Sequence, residues 1–299
     1  MVVDNLIVGV VLPAALAVIM FTLGLGLTLE DFKRVFVFPK GVSIGLFNLV
    51  LISPLLAFGI ADLLNLDPAM ALGLVLLGAS PGGTLANMFT HLAKGETALS
   101  VTMTAISSIV SVITIPLFLT LANDYFSGGE SLEDVNMLFV AGRTFLITVL
   151  PLSLGMFVRS RSPEWVDRYQ PNFMKASIVL FFLVVLAAII SELDLIRENF
   201  WRVAAGALML NVVAMTLSFS IARLARLSER QSTAIAMELG IHNGTVAIVV
   251  AGMINDELMI PAAVYAVFMY FTGGAFAYVM AKRNSRGEGG EPVPAEDAA

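Results

Sequence analysis

The sequence has no cysteine at all. This absence excludes disulfides, thiolate metal sites and cysteine nucleophiles. Charged residues are also scarce, at 13% of the 299 residues, whereas soluble domains carry about 25%. A soluble fold of this size needs polar residues to cover its surface. The composition therefore argues against a soluble enzyme, and we expect no nucleic-acid partner.

Apolar residues, by contrast, are abundant and occur in long runs. They make up 58% of the chain, and the mean hydropathy is +0.89. A run of about 20 apolar residues is long enough to cross a bilayer as a helix. Nine such stretches are predicted, at about 5–29, 41–64, 69–92, 97–122, 135–158, 174–191, 200–222, 230–253 and 258–281. The predicted fold class is an all-α polytopic membrane protein embedded in the lipid bilayer.

The distribution of basic residues predicts how these stretches are oriented. With the N-terminus outside, the segments on the inside hold fourteen of the 17 Lys and Arg residues. Cytoplasmic loops carry this excess of positive charge, so we expect the C-terminus in the cytoplasm. Residues 1–283 are predicted to form one transmembrane unit. The polar tail at 284–299 is predicted to be a disordered cytosolic segment.

Two of the nine stretches contain residues that interrupt a helix near their middle. The third has Pro81, Gly82 and Gly83, and the eighth has Gly240 and Gly244. Proline removes a backbone donor and glycine weakens a helix. In hydrocarbon the freed backbone groups need partners, so a broken helix usually lines a cavity. Two broken spans in corresponding positions, one followed by an inside connection and one by an outside connection, predict an inverted repeat.

Polar side chains near the two breaks are candidate ion ligands. Glu238 lies deep in an apolar stretch, where a carboxylate is costly and therefore suggests a function. Asn87 lies one turn after the first break, while Ser100 and Thr104 are four residues apart and share a helix face. Carboxylate, amide and hydroxyl oxygens are the ligands that hard cations prefer. The positive ends of the half-helices also favour an anionic substrate nearby.

Other polar residues in the apolar stretches allow more than one interpretation. His242 could carry a proton, contact a substrate or be a hydrogen-bonded structural residue. Asn48 and Asn211 could serve as polar contacts between helices.

The motifs around these residues resemble the bile acid:sodium symporter family. The resemblance depends on residues 20–27, on the Pro-Gly-Gly-Thr element at 81–84, on 98–100, and on 238–244. It implies a bacterial homologue in the inner membrane, with two broken helices that cross. It also implies a panel domain at about 5–29, 135–158 and 174–191, and a core domain at about 41–122 and 200–281. Bacterial members of the family have ten spans, whereas animal members have nine, the number predicted here.

The resemblance further assigns site residues. Asn87, Ser100, Thr104 and Glu238 match its first sodium site, although Ala86 replaces a serine ligand. The residues implied for the second sodium site are Glu238, Leu239, Ile241, His242 and Asn48. This site departs from the family pattern, because His242 and Leu49 stand where glutamines are usual and Asn48 is only a neighbour. Thr84, Asn243 and His242 match positions that face the substrate.

The function implied by the resemblance is sodium-coupled symport of an organic anion by alternating access. The substrate would be a bile-acid-like steroid or a small carboxylate such as pantoate or a keto acid, with Na⁺ as coupling ion and no other cofactor. A proton-coupled or single-sodium transporter is the alternative favoured by His242 and Ala86. An intramembrane enzyme that uses Glu238 and His242 has little other support, and a passive channel lacks evidence of a continuous pore.

Overall fold

The computed structural model describes residues 10–128, 136–191 and 193–287. These residues are almost entirely helical. The helices are α1 (Leu12–Leu25), α2 (Leu29–Lys33), α3 (Pro39–Phe47), α4 (Ser53–Leu63), α5 (Pro68–Ala79), α6 (Thr84–Leu92), α7 (Thr97–Ser127), α8 (Met137–Thr144), α9 (Leu150–Arg161), α10 (Pro163–Ser191), α11 (Leu193–Leu224), α12 (Glu229–Gly240), α13 (Gly244–Gly252) and α14 (Ile260–Gly287). Two π-helical turns, Asn48–Ile52 and Phe145–Val149, join α3 to α4 and α8 to α9.

Six helices in the described part of the chain are long and apolar enough to cross a membrane. They are Pro39–Leu63, Thr97–Ser127, Met137–Arg161, Pro163–Ile190, Phe200–Leu224 and Asp256–Ser285. A seventh crossing results if α1 and the segment Leu29–Phe36 are counted as one span, which is bent by 78° between them. The predicted count of nine also requires α5 with α6, and α12 with α13, to form one crossing each. The polytopic membrane fold is confirmed, and the count of nine stays a prediction.

Several turns lie in the connections between the predicted apolar stretches. The backbone has positive φ at Asn65 (46°), at Lys94 (53°) and at Gly128 (62°), each next to a helix end. Other boundaries differ from the prediction. Helix α10 begins eleven residues before the predicted start at 174, because the polar residues that precede 174 are helical as well. Residues 284–287 belong to α14 rather than to a tail, and 288–299 lie outside the described residues.

Helix α1 packs against α9 and α10. The α1–α9 contact is close because glycines face backbone atoms: a Cβ on Gly24 would overlap the Leu152 carbonyl, and one on Gly155 would overlap the Phe21 carbonyl. Small residues allow such close approach between membrane helices. A second group of contacts surrounds α12, which packs against α6, α7, α11 and α14. The division into panel and core domains remains a prediction.

Candidate functional site

Two helix breaks meet in the middle of the molecule. The first separates α5, which ends at Ala79, from α6, and the second separates α12 from α13. The Gly83 amide donates a hydrogen bond to the Ile241 carbonyl (3.0 Å), and the Asn243 amide donates to the Pro81 carbonyl (2.8 Å). Each break therefore satisfies one backbone carbonyl freed by the other, and an apolar environment requires such partners.

The glycines and proline that predicted the breaks occupy distinct places in them. Pro81, Gly82 and Gly83 lie between α5 and α6, whereas Gly240 is the last residue of α12 and Gly244 is the first residue of α13. Both breaks are thus present where the sequence placed them.

Glu238, near the end of α12, is fully buried beside the breaks. The Ser100 hydroxyl donates to Glu238 Oε1 at 2.5 Å, and the Thr104 hydroxyl lies 2.9 Å from Oε1 and 3.0 Å from Oε2. The same two hydroxyls lie 2.8 and 3.2 Å from Asn87 Oδ1. The structure therefore brings together the four side chains of the first predicted ion site. We call this group, Asn87, Ser100, Thr104 and Glu238, the oxygen cluster.

The oxygen cluster contains more hydrogen-bond acceptors than protons to fill them. Ser100 and Thr104 each supply one hydroxyl proton. Both Glu238 carboxylate oxygens, Asn87 Oδ1 and the Ser100 carbonyl compete for these two protons. A cation at the centre would complete the coordination of all these oxygens at once.

The charge of the oxygen cluster indicates which kind of cation fits. None of the ion pairs among the described residues includes Glu238, and an unpaired buried charge is costly. The described residues also contain no group of three or more His, Cys, Asp or Glu side chains that could hold a metal ion. One carboxylate surrounded by neutral oxygens balances a single positive charge. The cluster therefore suits a hard, monovalent cation.

Gly82 has a second role besides interrupting the helix. A Cβ built on Gly82 would overlap the Glu238 Oε2 atom. The Gly82 amide donates a hydrogen bond to the Ser107 hydroxyl (3.3 Å). Glycine at this position thus allows the first break to lie directly against the buried carboxylate.

The residues predicted for a second ion site have other partners. The Leu239 carbonyl lies 3.5 Å from the Tyr265 hydroxyl, and the Ile241 carbonyl accepts the hydrogen bond from Gly83. His242 Nε2 lies 2.6 Å from the Ser53 hydroxyl of α4.

Asn48, the last of the residues predicted for this second site, lies in the π-helical turn after α3. Its side chain is fully buried, and neither polar atom has a hydrogen-bond partner among the described residues. The structure therefore shows where Asn48 lies but does not assign it to an ion site.

A cavity of ≈ 310 Å³ adjoins the two breaks. Its walls come from α1, α6, α10 and the start of α13, and most of the lining is apolar. Among the described residues that line it, none is Asp, Glu, Lys or Arg. Its polar lining residues are Thr22, Thr84, Asn87, Gln170, Ser177, His242, Asn243 and Thr245. All three predicted substrate-facing residues, Thr84, Asn243 and His242, are among them.

Several polar residues of this region were not assigned to the site from the sequence. Ser53 contacts His242, while Tyr265 and Asn211 both donate to the Gly240 carbonyl, at 3.0 and 2.6 Å. Each is a polar residue in an apolar stretch, which is the signal that could have found them. Their partners lie 25 to 189 positions away, and no local pattern pairs residues at such distances.

Residues 41–45 form a G-x-S-x-G pattern, which is a motif of serine hydrolases. The motif works on a sharp strand-to-helix turn that exposes the serine. Here the residues lie inside α3, and Ser43 is exposed on that helix. The pattern is therefore an ordinary helix segment rather than a nucleophile site.

Comparison with known proteins agrees with this architecture of a membrane carrier. The chain belongs to the Sodium Bile acid symporter family, whose profile it matches over residues 13–199, more than half of its length. This confirms the resemblance read from the motifs. The chain is therefore an integral membrane protein of a sodium-coupled transporter family, rather than of a family of enzymes, and the family supports Na⁺ as the coupling ion.

Individual relatives cover most of the chain. It is 28% identical over 276 residues to the uncharacterized sodium-dependent transporter YocS of Bacillus subtilis (strain 168). The aligned residues cover 92% of this chain and 84% of that protein. It is 29% identical over 264 residues to the probable sodium/metabolite cotransporter BASS2, chloroplastic, of Oryza sativa subsp. japonica, covering 88% of this chain and 62% of the rice protein. The chain thus spans less than two thirds of that relative. It is 24% identical over 302 residues to the human ileal sodium/bile acid cotransporter, covering 97% and 84%.

Proposed function

We propose that the chain is a symporter that uses Na⁺ to drive the transport of a small organic anion by alternating access. The observation that carries this proposal is the oxygen cluster. Its buried carboxylate has no cationic side chain as a partner in the described part of the chain, and its three neutral side chains bring further oxygens to the same point. Sodium bound there would neutralise Glu238 and take up the surplus acceptors.

Asn87 provides a physical link between ion and substrate. Its Oδ1 belongs to the oxygen cluster, and the same residue lines the cavity. A bound cation would hold the Asn87 amide and the start of α6 in place. Because Glu238 lies on α12, the cation would also hold the second break, whose Asn243 lines the cavity as well. Cation and substrate would each favour the same arrangement of the breaks, which is coupling in the thermodynamic sense.

The lining of the cavity limits how an anionic substrate could be bound. The cavity has a volume of ≈ 310 Å³ and mostly apolar walls, which suit a small carboxylate or the apolar body of a larger organic anion. No basic side chain lines the described walls, so the anionic group would be bound by dipoles. The N-terminus of α6, which has no side-chain cap, supplies backbone N–H groups from Thr84 onward, where anions are favoured. At α13 the Asn243 side chain already accepts from the Val246 amide.

The transport cycle would move the group formed by α1, α9 and α10 against the group around α12. The glycine-mediated packing of α1 on α9 supports movement as one body, since the two backbones are in direct contact. The cavity lies between these groups, with Gln170 and Ser177 on one wall and Thr84 and Asn243 on the other. We further propose a location in a bacterial plasma membrane, with the N-terminus outside and the C-terminus in the cytoplasm, from the distribution of Lys and Arg.

The test is uptake by the purified full chain reconstituted in liposomes. The probes are radiolabelled short-chain hydroxy- and keto-carboxylates and, for comparison, taurocholate. An inward Na⁺ gradient should drive accumulation of at least one small carboxylate, and Glu238→Gln should abolish it. Taurocholate as the best substrate would identify a steroid anion, rather than a small carboxylate, as the substrate. Uptake that follows a pH gradient and ignores Na⁺ would support the proton-coupled alternative, with His242 as a candidate group. Downhill flux without accumulation would indicate a channel, and chemical conversion without transport an enzyme.

A further inference from the structure

Some buried polar atoms on the walls of the cavity have no hydrogen-bond partner. Among the described residues that line it, they are Ser177 Oγ, Thr245 Oγ1 and His242 Nδ1. The three residues are only 6%, 1% and 1% exposed. His242 was expected to face the substrate, whereas Ser177 and Thr245 were assigned no role. Buried polar atoms in folded proteins nearly always have a partner, so these two hydroxyls require an explanation.

The two hydroxyls belong to facing walls of the cavity. Ser177 lies on α10, one turn before Phe181, and residues four apart share a helix face. The Phe181 ring packs against the start of α13, because a Cβ built on Gly244 would lie 3.8 Å from it. Thr245 is the next residue of α13. The face of α10 that carries Ser177 is therefore directed at the segment that carries Thr245.

These hydroxyls differ from others in the same environment. Hydroxyls in membrane helices commonly bond a carbonyl one turn back. Thr22, which also lines the cavity, does so with the Val18 carbonyl (2.9 Å). For Thr245 the carbonyl one turn back is that of Ile241, which lies in the break and accepts from the Gly83 amide instead. The Ser177 and Thr245 hydroxyls can thus bind a molecule in the cavity without giving up a bond within the protein.

We propose that Ser177 and Thr245 form a hydroxyl pair that binds an oxygen substituent of the substrate and so selects hydroxy- or keto-carboxylates over unsubstituted carboxylates. A Ser or Thr hydroxyl both donates and accepts, so the pair suits a hydroxyl or a keto oxygen. The carboxylate itself would lie at the N–H groups that begin α6. This inference rests on the proposed function and narrows its substrate class.

The selectivity has a physical cause. A site that hydrogen-bonds a substrate oxygen rejects the analogue that lacks it, because the buried polar groups of the site are then left unpaired. We expect loss of either hydroxyl of the pair to weaken binding of an oxygenated substrate roughly tenfold. Binding of the unsubstituted analogue should not change, since it makes no bond to the pair.

The test compares matched probes on the purified full chain. Thermal stabilisation in NaCl is titrated with α-, β- and γ-hydroxybutyrate against butyrate, and with lactate and pyruvate against propionate. At least one oxygenated probe should bind roughly tenfold more tightly than its unsubstituted partner. Ser177→Ala and Thr245→Val should each remove this preference. Thr144→Val is the matched control, because the Thr144 hydroxyl is also buried without a partner among the described residues but does not line the cavity.

Ligand-free stability separates a binding role from a structural one. Replacing an unpaired buried hydroxyl by an apolar group should leave the melting temperature of both variants unchanged or raise it. A lower melting temperature, together with equal weakening of both members of a probe pair, would show a structural role and overturn the inference.

The remaining outcomes separate this inference from the function on which it rests. Wild-type binding that ignores the oxygen substituent in every pair, or no binding of any probe, would overturn the hydroxyl pair. The same loss of preference in Thr144→Val would also overturn it. Preferential binding of an oxygenated probe that does not depend on Na⁺ would support the pair and contradict sodium coupling. Na⁺-driven uptake without this preference would support sodium coupling and contradict the pair.

Discussion

The Thr104 hydroxyl is the best position at which to perturb the proposed ion site. It contacts both Glu238 oxygens, at 2.9 and 3.0 Å, and Asn87 Oδ1 at 3.2 Å. Thr104→Val removes this hydroxyl while keeping the branched shape of the side chain. Thr102→Val is the matched control. The Thr102 hydroxyl is equally buried on the same helix, but it bonds the carbonyls of Asp31 (2.9 Å) and Ala98 (2.8 Å), away from the oxygen cluster.

The magnitude follows from the charge of the partner. A hydrogen bond to a charged group contributes about 1.5–3 kcal/mol. As a cation ligand the Thr104 oxygen makes a contribution of similar size. At about 1.4 kcal/mol per tenfold change in equilibrium constant, we expect Thr104→Val to raise the Kd for Na⁺ roughly 10- to 150-fold. Thr102→Val also loses buried hydrogen bonds and should reduce stability by about 1 kcal/mol, with the Kd for Na⁺ unchanged.

The assay is Na⁺ titration of the purified protein, with choline replacing Na⁺ and thermal unfolding as the readout. A ligand that binds the folded state stabilises it by RT ln(1 + [L]/Kd), so the midpoint of the titration reports the affinity. The control separates loss of an ion ligand from loss of a buried hydroxyl. The reasoning is refuted if Thr104→Val binds Na⁺ as the wild type does, or if the two variants weaken binding equally.

Three further substitutions test other parts of the structure. Gly82→Ala should weaken Na⁺ binding at least tenfold, because the added methyl group displaces the Glu238 carboxylate, whereas Gly244→Ala should be tolerated because its Cβ would have only ordinary contacts, at 3.8 Å or more. Equal Na⁺ titrations for these two variants would contradict this. Asn211→Leu should lower stability by about 1–3 kcal/mol by removing a donor to the Gly240 carbonyl, and thermal unfolding in saturating NaCl would check it. Gly155→Val should separate α9 from α1 and reduce both folded yield and melting temperature; wild-type behaviour would show that this close contact is dispensable.

The amino-acid sequence predicted most of the membrane architecture, and the reason is physical. Long apolar runs and Gly or Pro at their interruptions are local signals, because bilayer thickness and backbone hydrogen bonding dictate them. Pro81 and Gly240 thus marked both breaks. Helix α10 was predicted too short, because polar residues such as Asp167 and Arg168 hide a helix that begins before the apolar run. The π-helical turn that contains Asn48 has no comparable signal.

The oxygen cluster could be predicted because each member has a local reason to be there. Glu238 is an isolated carboxylate in an apolar run, and Ser100 and Thr104 share a helix face. Asn87 lies one turn after the first break, and the resemblance to a family assigned all four residues to one sodium site. Contacts such as Ser53 with His242, or Asn211 with Gly240, join residues far apart in sequence, and only the fold specifies them. Residues that hydrogen-bond the backbone of the breaks therefore escaped prediction more often than residues of the oxygen cluster.

The most direct test of the central claim is ion-specific stabilisation through Glu238. Purified wild-type protein and Glu238→Gln are unfolded thermally in NaCl, KCl and choline chloride at equal ionic strength. At about 100 times the Kd, Na⁺ should stabilise the wild type by about 2.7 kcal/mol, while K⁺ and choline should not. The stabilisation should disappear in Glu238→Gln. Equal melting temperatures in all three salts for the wild type, or full Na⁺ stabilisation of Glu238→Gln, would contradict the assignment of the oxygen cluster as the sodium site.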